Sequence, residues 1–223
     1  MLSKCDQNYD LNSLQFINYS SECMPETTLK RLNILFPKVR FSQSYGLSEI
    51  GVLPTSSKAS NSLLLKINCN TRVVDGLLEL KTNASLVGYL TGENVFTEDG
   101  WFKTGDAVEV QGNYLRVLGR SSEMINIGGK KVYPTEIENV IQGMENVADV
   151  IITAEPHIFL GQMICATVKL LTPEILLIFR QRMQLYCKGK LENYKIPQKV
   201  IIADHISYGD RFKKMRAPTI VNS

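Results

Sequence analysis

"GRSSEMINIGGKKVYPTEIE" (residues 119–138) divides this chain into two differently patterned halves. Within it, Gly128-Gly129 separates an apolar run from a helix-like segment, with Arg120 ahead and Lys130-Lys131 behind. Three readings compete: a phosphate-cradling loop, an ordinary hairpin, or a joint that moves. The glycine spacing is neither that of G-x-x-x-x-G-K-[ST] nor that of G-x-G-x-x-G, so the phosphate-loop reading loses its usual support.

Downstream, "PTEIENVIQG" (134–143) predicts a helix, with Pro at the first helical position, acids in the first turn and Gly at the end. "VADVIITAEP" (147–156) and "QMICATVKLL" (162–171) predict strands around an "HIFLG" turn. "PEILLIFRQRMQLYCKGKL" (173–191) predicts an amphipathic helix ending near Gly189, and "KVIIAD" (199–204) a last strand. Residues from about 120 onward thus predict a compact α+β unit.

Upstream, "PETTLKRLNILF" (25–36) predicts a helix opened by Pro25 and striped by Leu29, Leu32 and Leu35. "VRFSQSYG" (39–46) reads as a strand running into a glycine turn. Short strand-like runs follow at 62–68, 71–75, 77–82, 85–90 and 114–119, with Asp-Gly and Gly-Asn turn signals in "TEDGWF" (97–102) and "VQGNY" (110–114). This pattern predicts a small antiparallel β unit.

The 223 residues are 44% hydrophobic, enough for a real core and for one or two domains. No apolar run is long enough to span a membrane, and the N-terminal residues carry no signal-peptide core. Five scattered cysteines without C-x-x-C argue against a disulfide framework or zinc site and fit a reducing cytoplasm. His157 and His205 are the only histidines, which leaves little room for His-based triads. The net charge is +3, but Arg180–Arg216 holds ten Lys or Arg against three acids. Such a region suits phosphates, an acidic protein or plain solvation; without interleaved aromatics it makes a poor nucleic-acid platform.

Each chemical motif is weak alone. "SYGLSE" (44–49) supplies an aromatic ring, a glycine, a hydroxyl and a carboxylate able to hold a hard cation, yet equally fits a strand-to-turn junction with a solvated Glu. "WFKTGD" (101–106) sets an Asp after a Thr-Gly turn, and an Asx-type turn explains it as well. "RFKKMR" (211–216) is a basic cluster near a terminus, and most such clusters are surface.

Their order changes the reading. "QSYGLSE", "DGWFKTGD", "LGRSSEMINIGGKKVYPTEIE", "LENYKIP" (191–197) and "RFKKMR" occur in succession. This series, from about Leu11 to Arg216, resembles the C-terminal half of the adenylate-forming enzymes: acyl-CoA synthetases, aryl and fatty acid ligases, luciferase and peptide-synthetase adenylation domains. The resemblance implies an α+β fold: the end of an α/β large domain (1–118) with a β subdomain (about 56–118), then a mobile small domain (119–223). It implies activation of a carboxylic acid by ATP as an acyl adenylate, then transfer to the thiol of coenzyme A or a carrier phosphopantetheine.

By the same resemblance, Tyr45 stacks on adenine, Gly46 lets the backbone approach, Ser48 touches the α-phosphate and Glu49 holds Mg²⁺. Asp106 accepts both ribose hydroxyls and Arg120 contacts the ribose region. In "FKKMR", Lys213 falls in register with the catalytic lysine of "GKxxR", although Phe212 replaces the Gly; Lys214 is the alternative. Ser122 occupies the hinge, where Asp or Lys is usual. Gly128-Gly129 lines the thiol channel after rotation. The glycine-rich phosphate loop has no counterpart in the 223 residues, and Ser20-Ser21 replace the glycines of a "GGAPL"-like segment. These departures imply weak or no adenylation by the chain alone, and an N-terminal half-enzyme or homo-oligomeric partner. The rival expectation is a degenerate, non-catalytic ligase acting as a nucleotide-binding or interaction module. Against decay stands the joint presence of Tyr45, Glu49, Asp106, Arg120 and Lys213, none expected to fill a core.

Overall fold

The computed structural model describes residues 9–20, 24–53, 64–81, 95–209 and 214–216. The strand expected at 85–90 and Lys213 lie outside these residues. The chain divides into two compact units, residues 1–117 and 118–223.

In the first unit, β1 (Phe16–Tyr19) pairs in parallel with β2 (Arg40–Gln43), and α1 (Glu26–Leu35) lies between them in sequence. Leu29 and Leu32 are buried, but Leu35 is 42% exposed. The i, i+3, i+6 spacing explains this: at 100° per residue, Leu35 sits about 120° around the helix from Leu29. Pro25 precedes α1 with an extended ψ of 138° instead of occupying its first turn. The strand expected over 39–46 breaks at Ser44 into β2 and β3 (Tyr45–Leu47), and β3 pairs with β4 (Gly51–Leu53).

The expected antiparallel β unit is a five-stranded sheet. It is built from β5 (Leu64–Lys66), β6 (Thr71–Val74), β7 (Leu77–Leu80), β8 (Phe102–Gln111) and β9 (Tyr114–Arg120), in the order β5-β9-β8-β7-β6. Leu65, Leu78, Leu80, Phe102, Val108 and Leu115 form its core together with Tyr45 and Ile50. The ten residues of β8 correct the reading of "WFKTGD" as a turn: Thr104, Gly105 and Asp106 all lie inside a strand.

In the second unit, the opening stretch forms a hairpin of β10 (Ile125–Ile127) and β11 (Lys130–Val132), followed by α2 (Pro134–Ile141). Gly128 (φ +55°) and Gly129 (φ +85°) occupy the two central turn positions, both left-handed, which explains the paired glycines. Pro134 opens α2 as expected. β12 (Val147–His157) and β13 (Gly161–Leu170) pair antiparallel, and β14 (Lys199–Ile202) adds in parallel to β13. α3 (Leu176–Cys187) and α2 supply Phe179, Met183, Cys187, Ile137 and Ile141 to one core with the sheet. Ile125, Ile127 and Val132 join that core, so the hairpin is anchored at its base. The apolar run preceding Phe179 does not follow the amphipathic expectation: Ile175, Leu176, Leu177 and Ile178 are all exposed.

Among the described residues, no helix is long and apolar enough to cross a membrane. Burial pushes the Cys165 thiol up to about 11, aided by Glu155, and pushes Cys187 up to about 11. Cys69 is exposed. Mass mapping after alkylation at pH 8 is expected to find Cys69 modified before Cys165 and Cys187, which stay protected until unfolding. Because both folded values are raised, stability present below the unfolded value near 9 falls as pH rises towards 11. Each thiol is expected to remove on the order of 2 kcal/mol, seen as a lower denaturant midpoint at pH 11 than at pH 8.

Candidate functional site

The first unit brings two distant motifs together. The Tyr45 hydroxyl of β3 donates to Asp106 Oδ2 of β8, across 61 residues of sequence, and both groups are buried. A bulge aims Asp106. Between the pairs Glu79↔Lys103 and Leu77↔Ala107, two steps along β7 face four along β8, and Gly105 has a φ of +73°. Thr104 stitches the bulge: its hydroxyl donates to the Leu78 carbonyl at 2.8 Å and accepts from the Asp106 N–H at 3.0 Å. The result is a carboxylate fixed by backbone and side chain, the preorganisation that recognition of a paired hydroxyl group requires.

Tyr45 also corrects an expectation, because at 7% exposure it is part of the sheet's apolar core. Its presence therefore has a packing reason beside any binding role. Gly46 likewise has a local reason. A Cβ there would lie 2.8 Å from the Gly51 carbonyl oxygen and 2.9 Å from Val52 Cα on the paired strand. Ser48 is exposed and donates to Glu49 Oε2 at 3.1 Å in the turn after β3.

In the second unit, Arg120 ends β9 and precedes a short 3₁₀ turn, Ser121–Glu123, with Ser122 exposed. The Thr135 hydroxyl donates to the Leu118 carbonyl at 2.5 Å, tying the end of β9 to the first turn of α2. Gly128 and Gly129 are exposed at the hairpin tip. There the Gly128 N–H donates to the Leu160 carbonyl at 3.2 Å and the Gly129 N–H to Asn126 Oδ1 at 2.9 Å.

Within "RFKKMR", the described Lys214 and Arg216 are not simply surface groups. The Lys214 and Arg216 side chains are only 13% and 14% exposed. Lys214 Nζ donates to the Val150 carbonyl at 2.8 Å and lies 3.1 Å from Asp149. Arg216 grips both oxygens of buried Glu138, at 2.9 and 3.3 Å, and reaches Glu123 at 2.5 Å. Glu138 also accepts the Ile152 N–H at 2.9 Å. Sequence reasoning missed Glu138, which reads there as an ordinary acid of α2, one turn beyond Glu136. Lys214 is thus engaged within the second unit.

The wider basic region is also largely paired internally. Arg182 meets Glu174 at 2.8 Å, Lys195 meets Glu136 at 2.8 Å, and Lys199 meets Glu155 at 2.9 Å. Glu136 and Glu192 hold the Lys195 ammonium above its ordinary range despite the opposing effect of burial. Among the described residues, no group of three or more His, Cys, Asp or Glu forms a metal cluster.

Residues 136–208 match the AMP-binding enzyme C-terminal domain, and curated acyl-CoA ligases match along most of the chain. It is 26% identical to the putative long chain fatty acid-CoA ligase VraA of Staphylococcus epidermidis, over 92% of this chain and 46% of that one. It is 29% identical to the indoleacetate–CoA ligase of Aromatoleum aromaticum, over 90% and 43% respectively. The Bacillus subtilis o-succinylbenzoate CoA synthetase, solved with its acyl-adenylate intermediate, superposes with a TM-score of 0.76 at 25% identity, covering 95% of this chain and 47% of that one. The chain spans about half the length of the curated relatives it matches.

Proposed function

We propose that the chain is the nucleotide-closing half of an AMP-forming acid–thiol ligase. The first unit is the end of a large domain with its β subdomain, and the second is a mobile small domain. The reading is carried by one observation: the fold joins Tyr45 to Asp106, uniting two of the five motifs at a buried, bulge-oriented carboxylate. Asp106 receives the two ribose hydroxyls, Tyr45 and Gly46 face the adenine, Ser48 meets the α-phosphate and Arg120 the ribose region. Glu49 is half-buried and has Ser48 as its neighbour. It fits a Mg²⁺ site of the kind that uses one carboxylate plus substrate phosphates and water, and when bound the ion neutralises phosphate charge.

Lys213 places a cation where charge develops during adenylation, the position from which electrostatic stabilisation gains most. Lys214, already paired with Asp149, anchors its neighbour instead. Ser122 is the hinge and Gly128-Gly129 the face turned towards the thiol of coenzyme A or phosphopantetheine. A cytoplasmic enzyme acting on a small carboxylic acid follows from the same reading. Adenylation is expected only with an N-terminal half carrying the phosphate loop.

The test is isothermal calorimetry with a non-hydrolysable acyl-AMP analogue, followed by ATP–pyrophosphate exchange with and without such a half. Binding by the chain and exchange only on mixing are the expected results. Absence of analogue binding sinks the proposal, and robust exchange by the chain alone sinks the division of labour. A second reading, a non-catalytic relative, is favoured by one observation: Tyr45 fills the core and so persists without any ligand. Analogue binding without exchange in any mixture would support it.

A further inference from the structure

Asp106 lies within a strand yet outside a regular ladder. The β7–β8 pairing passes from Glu79↔Lys103 to Leu77↔Ala107, and the Val108 N–H donates to the Gly76 carbonyl at 2.9 Å just beyond. Gly105, in between, takes a left-handed φ of +73° that a regular strand does not use. Side chains alternate from face to face along a strand. A bulge that slipped by one residue would therefore turn the Asp106 carboxylate to the opposite face of the sheet.

One side chain opposes that slip. The Thr104 hydroxyl donates to the Leu78 carbonyl on β7 and accepts the Asp106 N–H on β8. Thr104, Leu78 and Asp106 are all buried, so water does not compete for either bond. A hydroxyl both gives and takes a hydrogen bond, which no apolar group of the same shape can do. Its branched Cβ also restricts the swing of the hydroxyl. Tyr45 holds the carboxylate at Oδ2, and Thr104 holds the same residue at its backbone.

We propose that Thr104 is a positioning residue that makes the Asp106 site selective for ribose over deoxyribose, an assignment that rests on the reading of Asp106 as the ribose acceptor. One carboxylate holds both hydroxyls of a cis-diol only while its plane is fixed to face them. A carboxylate free to turn keeps one bond and gives up the other. Loss of the Thr104 hydroxyl therefore erases the difference between two sugar hydroxyls and one, while contacts to base and phosphate persist.

The experiment is calorimetric titration of the chain with AMP, 2′-deoxy-AMP and 3′-deoxy-AMP, paired with amide hydrogen exchange followed by NMR. The parent chain is expected to bind AMP at least about tenfold more tightly than either deoxynucleotide, the effect of one hydrogen bond to a charged group. Thr104→Val is expected to weaken AMP by about tenfold and the deoxynucleotides by less than about threefold, so that the preference collapses. Thr104→Ser, which restores the hydroxyl, is expected to keep the preference within about threefold of the parent. Relative to the Val108 amide, the Asp106 amide is expected to exchange at least about tenfold faster in Thr104→Val and not in Thr104→Ser. Thr104→Ala removes the same hydroxyl without adding a methyl, and carries the same expectations if Thr104→Val does not fold. An unchanged preference, or equal weakening of all three nucleotides, overturns the proposal and leaves Asp106 as the ribose acceptor. Unaccelerated exchange at Asp106 overturns it as well. Absence of AMP binding by the parent chain overturns the ribose reading itself, and the selectivity with it.

Discussion

Glu138→Ala is expected to destabilise the second unit by about 3–5 kcal/mol, the range for removing one partner of a buried ion pair. The carboxylate is 5% exposed and serves three groups: the Ile152 N–H, the Arg216 fork and, at 3.7 Å, Lys214. Its loss strips a buried β12 amide of its acceptor and leaves two largely buried cations sharing Glu123 and Asp149. For a unit of about one hundred residues this corresponds to a fall in Tm of at least about 12 °C by calorimetry or circular dichroism. Glu138→Gln, which keeps an acceptor for Ile152 but not the charge, should fall between. A double-mutant cycle with Arg216→Ala isolates the pair and should show coupling above about 1 kcal/mol. A Tm change of 3 °C or less for Glu138→Ala would show that solvent screens the network.

Asp106→Ala carries the largest expected effect on binding. Two charge-assisted hydrogen bonds to ribose hydroxyls contribute about 1.5–3 kcal/mol each, so their loss weakens an acyl-AMP analogue by about 10²–10⁴-fold. Tyr45→Phe retains the core ring and deletes only the hydroxyl that orients Asp106, and should cost about tenfold. Calorimetric titration checks both, with thermal melts to establish that each variant is folded. Equal affinity of Asp106→Ala and the parent chain would remove Asp106 from the nucleotide site.

The parts of the fold legible in the sequence were those with local punctuation. Pro134 and the acids after it marked α2, and alternation around "HIFLG" marked β12 and β13. The bulge in β8 was not legible, because Thr-Gly-Asp is also a turn signature and only the register against β7 distinguishes the two. The exposed face of α3 was hidden for a related reason: an apolar run specifies hydrophobicity without saying which residues find a partner. In the site, Tyr45 and Asp106 were named only through the ordered motif series, since nothing local announces a hydrogen bond across 61 residues. Glu138 was missed because its partner Arg216 lies 78 residues away and an acid within a short helix, one turn after Glu136, carries no signal of its own.

Arg216 reaches Glu123, in the turn that leads into the second unit, from the last described residues of the chain. One guanidinium therefore fastens the turn that opens the unit to Glu138 of α2. Losing that side chain would therefore do more than remove one partner of Glu138: it would also unlatch the turn Ser121–Glu123 from the rest of the unit.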